Sequence, residues 1–340
     1  MQRFTRTSAA RATRTLARSF SSSTPVLTNY GFIGLGQMGQ NMSRHLHSKL
    51  KPEDKLFVYD VNAPAITAAL GNTKDHGHQQ MYAASSVVDV GANCEVVITM
   101  LPEGKHVKAV VQEIVDLKKD SPTVFVDSST IDIPTSQAIS QLVREANAGE
   151  YLDAPVSGGA MGARDATLSF MIGREGPKLT DDRLQFIFDA MGARIFFMGK
   201  ISSGLAAKLA NNYLLALTNI ATADSFNLAR TFGLDMAVYA ELVSKSTGNS
   251  WASATNCPVP GVKAGVPSND GYKGGFATRL TRKDMVLACQ SAESIGQPLF
   301  LGAIGKEIYD KACEREDLAN RDLAVLYEWL GEMGGDSRVA

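Results

Sequence analysis

Up to about residue 200 the chain alternates unbroken apolar runs with stretches of helical character. Residues 30–33, 56–59, 96–101 and 123–126 are short and rich in aliphatic, aromatic or β-branched side chains, without polar positions at every second place. A strand covered on one face alternates, whereas a continuous apolar run fits a strand covered on both. Helical stretches, among them one running from the glycines after residue 33 to Leu50, then 86–93 and 105–117, fall between these runs. The pattern therefore predicts a parallel sheet with helices on both faces. Residues 151–156 and 168–172 are expected to be its last strands, with 195–198 closing the same sheet. Beyond them the pattern changes. Residues 205–232 contain neither Pro nor Gly, and Ser202 or Ser203 can cap the start and Gly233 the end. Such a helix is about 42 Å long, a spine able to join an α/β domain to a helical one. Residues 237–244, 283–295 and 299–312 read as further helices, and no internal repeat is visible.

Length and composition narrow the class. A chain of 340 residues corresponds to about two domains, and 44% hydrophobic with 20% charged residues is ordinary globular composition. A net charge of -1 offers no basic field for nucleic acid, and no membrane partner is expected. The four cysteines, Cys94, Cys257, Cys289 and Cys313, are far apart, with no C-x-x-C pair or nearby His, so neither a metal site nor a disulfide framework is expected. The charge is unevenly distributed. No acid precedes Glu53, and Arg3, Arg6, Arg11, Arg14 and Arg18 recur among Ser and Thr without an apolar core. Residues 1–28 therefore read as a mitochondrial presequence ending around 21–28, directing the chain to the matrix and adding nothing to the fold.

Gly34-x-Gly36-x-x-Gly39 follows the first strand and opens a helix, the context a dinucleotide-binding loop requires. The first glycine permits the tight turn, the second lets backbone approach a pyrophosphate, and the third allows close helix–strand packing. The helix N-terminus offers N–H groups to the phosphates, bringing Gln37 and Met38 into the cofactor set. Asp60 ends the second strand about 21 residues after Gly39, where a carboxylate accepts the ribose hydroxyls and repels a 2′-phosphate. No Arg follows it in Val61-Asn62-Ala63. NAD is the expected cofactor. The organisation is then a Rossmann-type NAD-binding domain over 29–200 and an all-α C-terminal domain over 201–335, joined by the long interdomain helix.

Two further motifs carry candidate chemistry. Lys208 and Asn212 stand four apart on one face of the long helix, where polar groups need water or partners. Alone, Lys208 reads as an ordinary snorkelling lysine. Asp153-Ala154-Pro155-Val156-Ser157-Gly158-Gly159 ends a strand in a loop of N–H donors suited to a carboxylate, or in a simple turn.

Taken with Thr99-Met100-Leu101-Pro102, residues 127–132, the proline- and glycine-rich segments 258–262, 265–267 and 274–276, and Lys283-Asp284, these motifs resemble the β-hydroxyacid dehydrogenase family. The resemblance runs from Tyr30 to about Leu330. It implies oxidation of (S)-3-hydroxyisobutyrate to methylmalonate semialdehyde with NAD, in valine breakdown, by a homo-oligomer (dimer or tetramer). Lys208 matches the family's catalytic lysine, and Asn212 would hold the substrate beside it. Ser157, Gly158 and Gly159 match the substrate-carboxylate loop. Leu101, Pro102 and Thr130 match cofactor-lining residues, and Lys283 a lysine near the nicotinamide. The chain departs from the family pattern at Cys257, where Asn is expected and Asn256 lies one position earlier, and at His106. Reduction of succinic semialdehyde, glyoxylate or tartronate semialdehyde on the same scaffold is the alternative. A non-catalytic dinucleotide-binding protein is a remoter one, since it would be expected to lose the lysine.

Overall fold

Strands β1 (Asn29–Ile33), β2 (Lys55–Tyr59), β3 (Met81–Ala83), β4 (Val96–Thr99), β5 (Thr123–Asp127) and β6 (Gly149–Asp153) form one parallel sheet in the order β3-β2-β1-β4-β5-β6. The computed structural model describes residues 28–71, 81–176, 178–179 and 181–334, so the expected presequence lies, apart from Thr28, outside the described residues. Helices α1 (Gln37–Ser48), α2 (Ala63–Gly71), α3 (Val87–Asn93), α4 (Gly104–Val115) and α5 (Ile133–Glu145) connect successive strands. The unbroken apolar runs now have their cause. Tyr30, Phe32, Val96, Ile98, Val124, Val126 and Leu152 enter a core on one side of the sheet. Ile33, Val97, Phe125 and Tyr151 enter a second core on the other side. Every position of β4 and β5, and Tyr30–Ile33 of β1, is buried, so no polar alternation can be written into them.

The strand order reverses between β1 and β4, and in such sheets ligands bind in the crevice outside the carboxyl ends at that point. The loops after these two strands abut there: a Cβ on Gly34, whose φ is +101°, would overlap the Met100 carbonyl.

Residues 168–172 and 195–198 do not belong to the main sheet. Strands β7 (Val156–Ser157), β8 (Leu168–Ile172) and β9 (Gly192–Phe197) form a separate three-stranded sheet, with β7 antiparallel to β8. Ala154 N–H makes the last bond to β5, at Asp127 O, and on its other edge the chain pairs with β8, the Asp153 and Pro155 carbonyls accepting the Gly173 and Met171 N–H groups at 2.9 and 3.0 Å. Leu168, Phe170 and Ile172 still reach the first core, joined by Leu184, Ile187 and Phe188 from α7 (Asp182–Met191). Between β7 and β8 lies the short α6 (Gly159–Arg164).

The spine is α8 (Ser203–Thr231), 29 residues and therefore about 43 Å long. Its first turn contributes Leu205 to the sheet core, whereas Ala216, Ile220, Ala223 and Phe226 belong to the helical core. That core is completed by α11 (Thr278–Ser294), α12 (Gly302–Glu314), α13 (Glu316–Ala319) and α14 (Leu326–Met333), which follow α9 (Met236–Lys245) and α10 (Trp251–Ala254). Gly233 ends the spine as expected. With φ +74° it donates to Arg230 O while Leu234 donates to Ala229 O, a Schellman closure. The expected serine cap at the other end is not found. Ser202 is left-handed, with φ +68°, and its side chain makes no cap; Asp153 of β6 takes that part.

Two surface features stand out. Helix α9 packs Met236, Tyr239, Ala240 and Val243 half-buried against the helical core, while on its other side Val238 and Leu242 are exposed, as are Phe232 and Leu234. No helix among the described residues is long and apolar enough to cross a membrane.

Candidate active site

Helices α3, α5, α7 and α9 carry side-chain caps from Ser86, Asp132, Asp181 and Asp235. Helix α1 does not. Its N-cap is Gly36, its first turn holds no acid, and a Cβ on Gly36 would meet nothing within 4 Å. The backbone around Gly36, Gln37 and Met38 therefore faces open space with N–H groups and the positive end of the helix, which fits a pyrophosphate. Gly39 has the packing part expected of it, since a Cβ there would overlap the Gly34 carbonyl. Asp60 closes the loop from the second strand. Its Oδ2 accepts the Leu35 N–H at 2.6 Å and its Oδ1 the Asn62 N–H at 2.7 Å.

On the far side of the crevice, buried Asp127 organises the loops after β4 and β5. Its carboxylate accepts bonds from Thr99 Oγ1, the Ser129 N–H and Tyr151 Oη, while burial raises its pKa. Ser129 Oγ in turn accepts the Leu101 N–H at 2.8 Å. Lys283, on α11, spans from the helical domain to this edge. Its ammonium donates to Thr130 O at 2.8 Å and Pro102 O at 3.1 Å. Leu101, Pro102, Thr130 and Lys283 thus meet in one place, with Lys283 fastening the two loops.

Lys208 and Asn212 are both buried, at 8% and 2% exposure. The structure pairs them with a residue whose role was not legible in the sequence. Asp284, next to Lys283 and almost fully buried, accepts a 2.6 Å bond from Asn212 Nδ2, and its Oδ1 lies 3.8 Å from Lys283 Nζ. Burial pulls the Lys208 pKa down to about 8, with Asp284 opposing the fall and Lys283 adding to it. No described residue accepts a hydrogen bond from the Lys208 ammonium. It is desolvated, near its titration point at ordinary pH, and available to an added hydroxyl group.

Ser157, Gly158 and Gly159 sit half-exposed to exposed between β7 and α6. Their glycines are required by conformation: φ is +135° at Gly158 and +62° at Gly159. This segment is joined to the lysine helix through Asp153, whose Oδ1 accepts the Ser202 N–H at 2.7 Å and Oδ2 the Leu205 N–H at 3.0 Å. Burial pushes the Asp153 carboxyl up to about 6.

The departures from the expected pattern are also placed. Asn256 donates to buried Asp322 at 2.8 Å, and Cys257 is buried with its carbonyl accepting from Ser268 Oγ. His106 lies in the first turn of α4, half-buried.

Comparison with known proteins places this arrangement. Residues 29–199 match a family model described as the NAD binding domain of 6-phosphogluconate dehydrogenase. Residues 202–330 match one described as NAD-binding of NADP-dependent 3-hydroxyisobutyrate dehydrogenase. The mitochondrial 3-hydroxyisobutyrate dehydrogenase of Drosophila melanogaster is 37% identical over 93% of this chain and 93% of its own. The human mitochondrial enzyme of that name is 37% identical over 93% of this chain and 89% of its own. Among solved structures, the Mycobacterium tuberculosis 3-hydroxyisobutyrate dehydrogenase with L-serine superposes with a TM-score of 0.77 at 35% identity, covering 89% of this chain and 99% of that one. Likeness of this extent, over both the nucleotide-binding sheet and the helical domain with its buried lysine, means that the chain belongs to the 3-hydroxyisobutyrate dehydrogenase family of nicotinamide-dependent oxidoreductases.

Proposed function

We propose that the protein oxidises (S)-3-hydroxyisobutyrate to methylmalonate semialdehyde with NAD, in valine breakdown. The observation that carries this reading is Lys208: buried, without a hydrogen-bond acceptor among the described residues, and shifted to about 8. A nicotinamide bound in the crevice supplies the hydride acceptor. The neutral Lys208 amine takes the hydroxyl proton as the carbon–oxygen double bond forms, and the resulting ammonium returns it in reduction. Asn212, held by Asp284, orients the hydroxyl with the remaining hydrogen of its amide. Ser157 and the backbone of Gly158 and Gly159 bind the substrate carboxylate, which matches the anionic class of acid. The relative solved with L-serine, itself a 3-hydroxy acid, supports that class.

Asp60 makes NAD the preferred cofactor. Its oxygens already hold the Leu35 and Asn62 N–H groups, and their remaining lone pairs suit ribose hydroxyls, whereas a 2′-phosphate would face the carboxylate. The matching model over 202–330 is described for an NADP-dependent enzyme, so the choice turns on this residue. The kcat/KM with NAD should exceed that with NADP by roughly 100-fold, about 2.7 kcal/mol, and Asp60→Ser should narrow the gap. Equal use of both cofactors by the parent contradicts this role.

Lys208→Met should lower turnover at least ~100-fold, the scale of one general acid–base group. NAD affinity should be retained, because the pyrophosphate loop at Gly34 to Gly39 lies on another element. Lys208→Arg should not restore turnover, since a guanidinium keeps its proton. Turnover of Lys208→Met within about tenfold of the parent would return Lys208 to a packing role.

Residues 1–28 direct the chain to the mitochondrial matrix and are removed there. The acid-free, Arg-spaced segment and the mitochondrial names of the fly and human relatives support this. A reporter fused to residues 1–30 should enter the matrix; cytosolic retention contradicts it. The bare face of α9 with Phe232 and Leu234 supports self-association as a dimer or tetramer. Light scattering should give a mass of two or four chains, and a monomer at micromolar concentration refutes it.

A further inference from the structure

The first turn of α8 has no side-chain cap of its own, and Ser202, in the N-cap position, is left-handed. The N–H groups of Ser202 and Leu205 are instead taken by the two oxygens of Asp153, 49 and 52 residues earlier in the chain. The space around that carboxylate is shaped to it. A Cβ on Gly173 would overlap Asp153 Oδ1, and a Cβ on Gly204 would come within 2.8 Å of Oδ2. The Gly173 N–H also donates to Asp153 O at 2.9 Å, so the ends of β6 and β8 and the start of α8 meet at one residue. A second tie runs alongside, from Ser202 Oγ to Ser136 Oγ at 2.9 Å.

Two parts of the candidate site leave this junction in different directions. Four residues after Asp153, the chain reaches Ser157 and the two left-handed glycines. Three residues after Leu205, one helical turn along α8, stands Lys208. We infer that Asp153 is a positioning residue for the reaction: it fixes the first turn of α8 against the start of the 157–159 loop, and so sets where the Lys208 amine stands relative to the bound carboxylate. The inference rests on the reading of Lys208 given above. It assigns Asp153 no contact with substrate or cofactor. Its effect passes through the lysine, because the reacting hydroxyl is held from one side by the loop and from the other by α8, and a displacement of about 1 Å between them is enough to cost about 100-fold in rate.

Asp153→Asn is the test, since it keeps the shape but replaces one acceptor by an NH2 group facing an N–H. Turnover is counted per NAD-binding molecule, with NADH fluorescence titration supplying the number of folded sites. The kcat should fall about 10- to 100-fold while the dissociation constant for NAD stays within twofold. In the Lys208→Met background the same change should cost less than about twofold, because the group through which Asp153 acts is already gone. A merely structural role would lower the number of binding sites and leave turnover per site unchanged. Parent-like turnover per site in Asp153→Asn overturns the inference, as does a loss of the same size in both backgrounds. If Asp153→Asn does not fold, Asp153→Ser shortens the side chain and takes the carboxylate away from the Ser202 and Leu205 N–H groups. It should lower kcat per site severalfold in the parent and not in Lys208→Met, and parent-like turnover there overturns the inference. Failure of the Lys208 reading itself shows separately, as retained turnover in Lys208→Met alone.

Discussion

A carboxylate with 0% exposure holds this structure together where its two halves meet. A buried charge is unfavourable unless donors surround it, and the donors nearest to Asp153 are the N–H groups that the end of a long helix leaves unpaired. Each solves the other's deficit. The sheet's last strand thereby terminates on the spine, and the spine starts at a defined place on the sheet. Glycines at 173 and 204 are the corollary, because side chains there would displace the carboxylate.

The reactive arrangement depends on that junction and on one more. Lys283 crosses from the helical domain to the carbonyls of Pro102 and Thr130, so the loops after β4 and β5 are fastened to α11. The adjacent Asp284 lies within 3.8 Å of the same ammonium through Oδ1 and holds Asn212 through Oδ2. Two neighbouring residues of opposite charge therefore serve the two sides of the crevice. Lys208 is placed between these influences: burial and Lys283 favour its neutral form, and Asp284 favours the charged one. The balance leaves an amine that can both take and return a proton near neutral pH.

Much of this was legible in the sequence, for identifiable reasons. The strands β1, β4 and β5 are visible because both of their faces are buried, which makes their runs continuously apolar, and β2 because its half-buried face carries Phe57 and Tyr59. The glycine loop, Asp60 and the spine helix were visible because their requirements are local: a left-handed turn, a strand end, a long run without breakers. What escaped depends on contacts distant in sequence. The strands at 168–172 and 192–197 look like any other strand, and their pairing with each other and with Val156–Ser157 rests on contacts that no local pattern carries. The cap of α8 comes from 49 residues away, whereas the local sequence points to a serine. Asp284 stands beside Lys283 in one motif, but its bond to Asn212 spans 72 residues, and no spacing rule reaches that far. The signal for helix α5 is local: Asp132 caps it and Pro134 stands in its first turn.

The central claim is that Lys208 carries the proton in both directions. Its most direct test is the pH dependence of kcat/KM for the parent protein, measured for oxidation of 3-hydroxyisobutyrate and for reduction of the semialdehyde. Oxidation needs the neutral amine and reduction the ammonium, and the Lys208 pKa stands at about 8. Oxidation should therefore rise with pH through about 8 while reduction falls through the same value. Two profiles that run parallel across that range, or that are flat through it, would contradict the account.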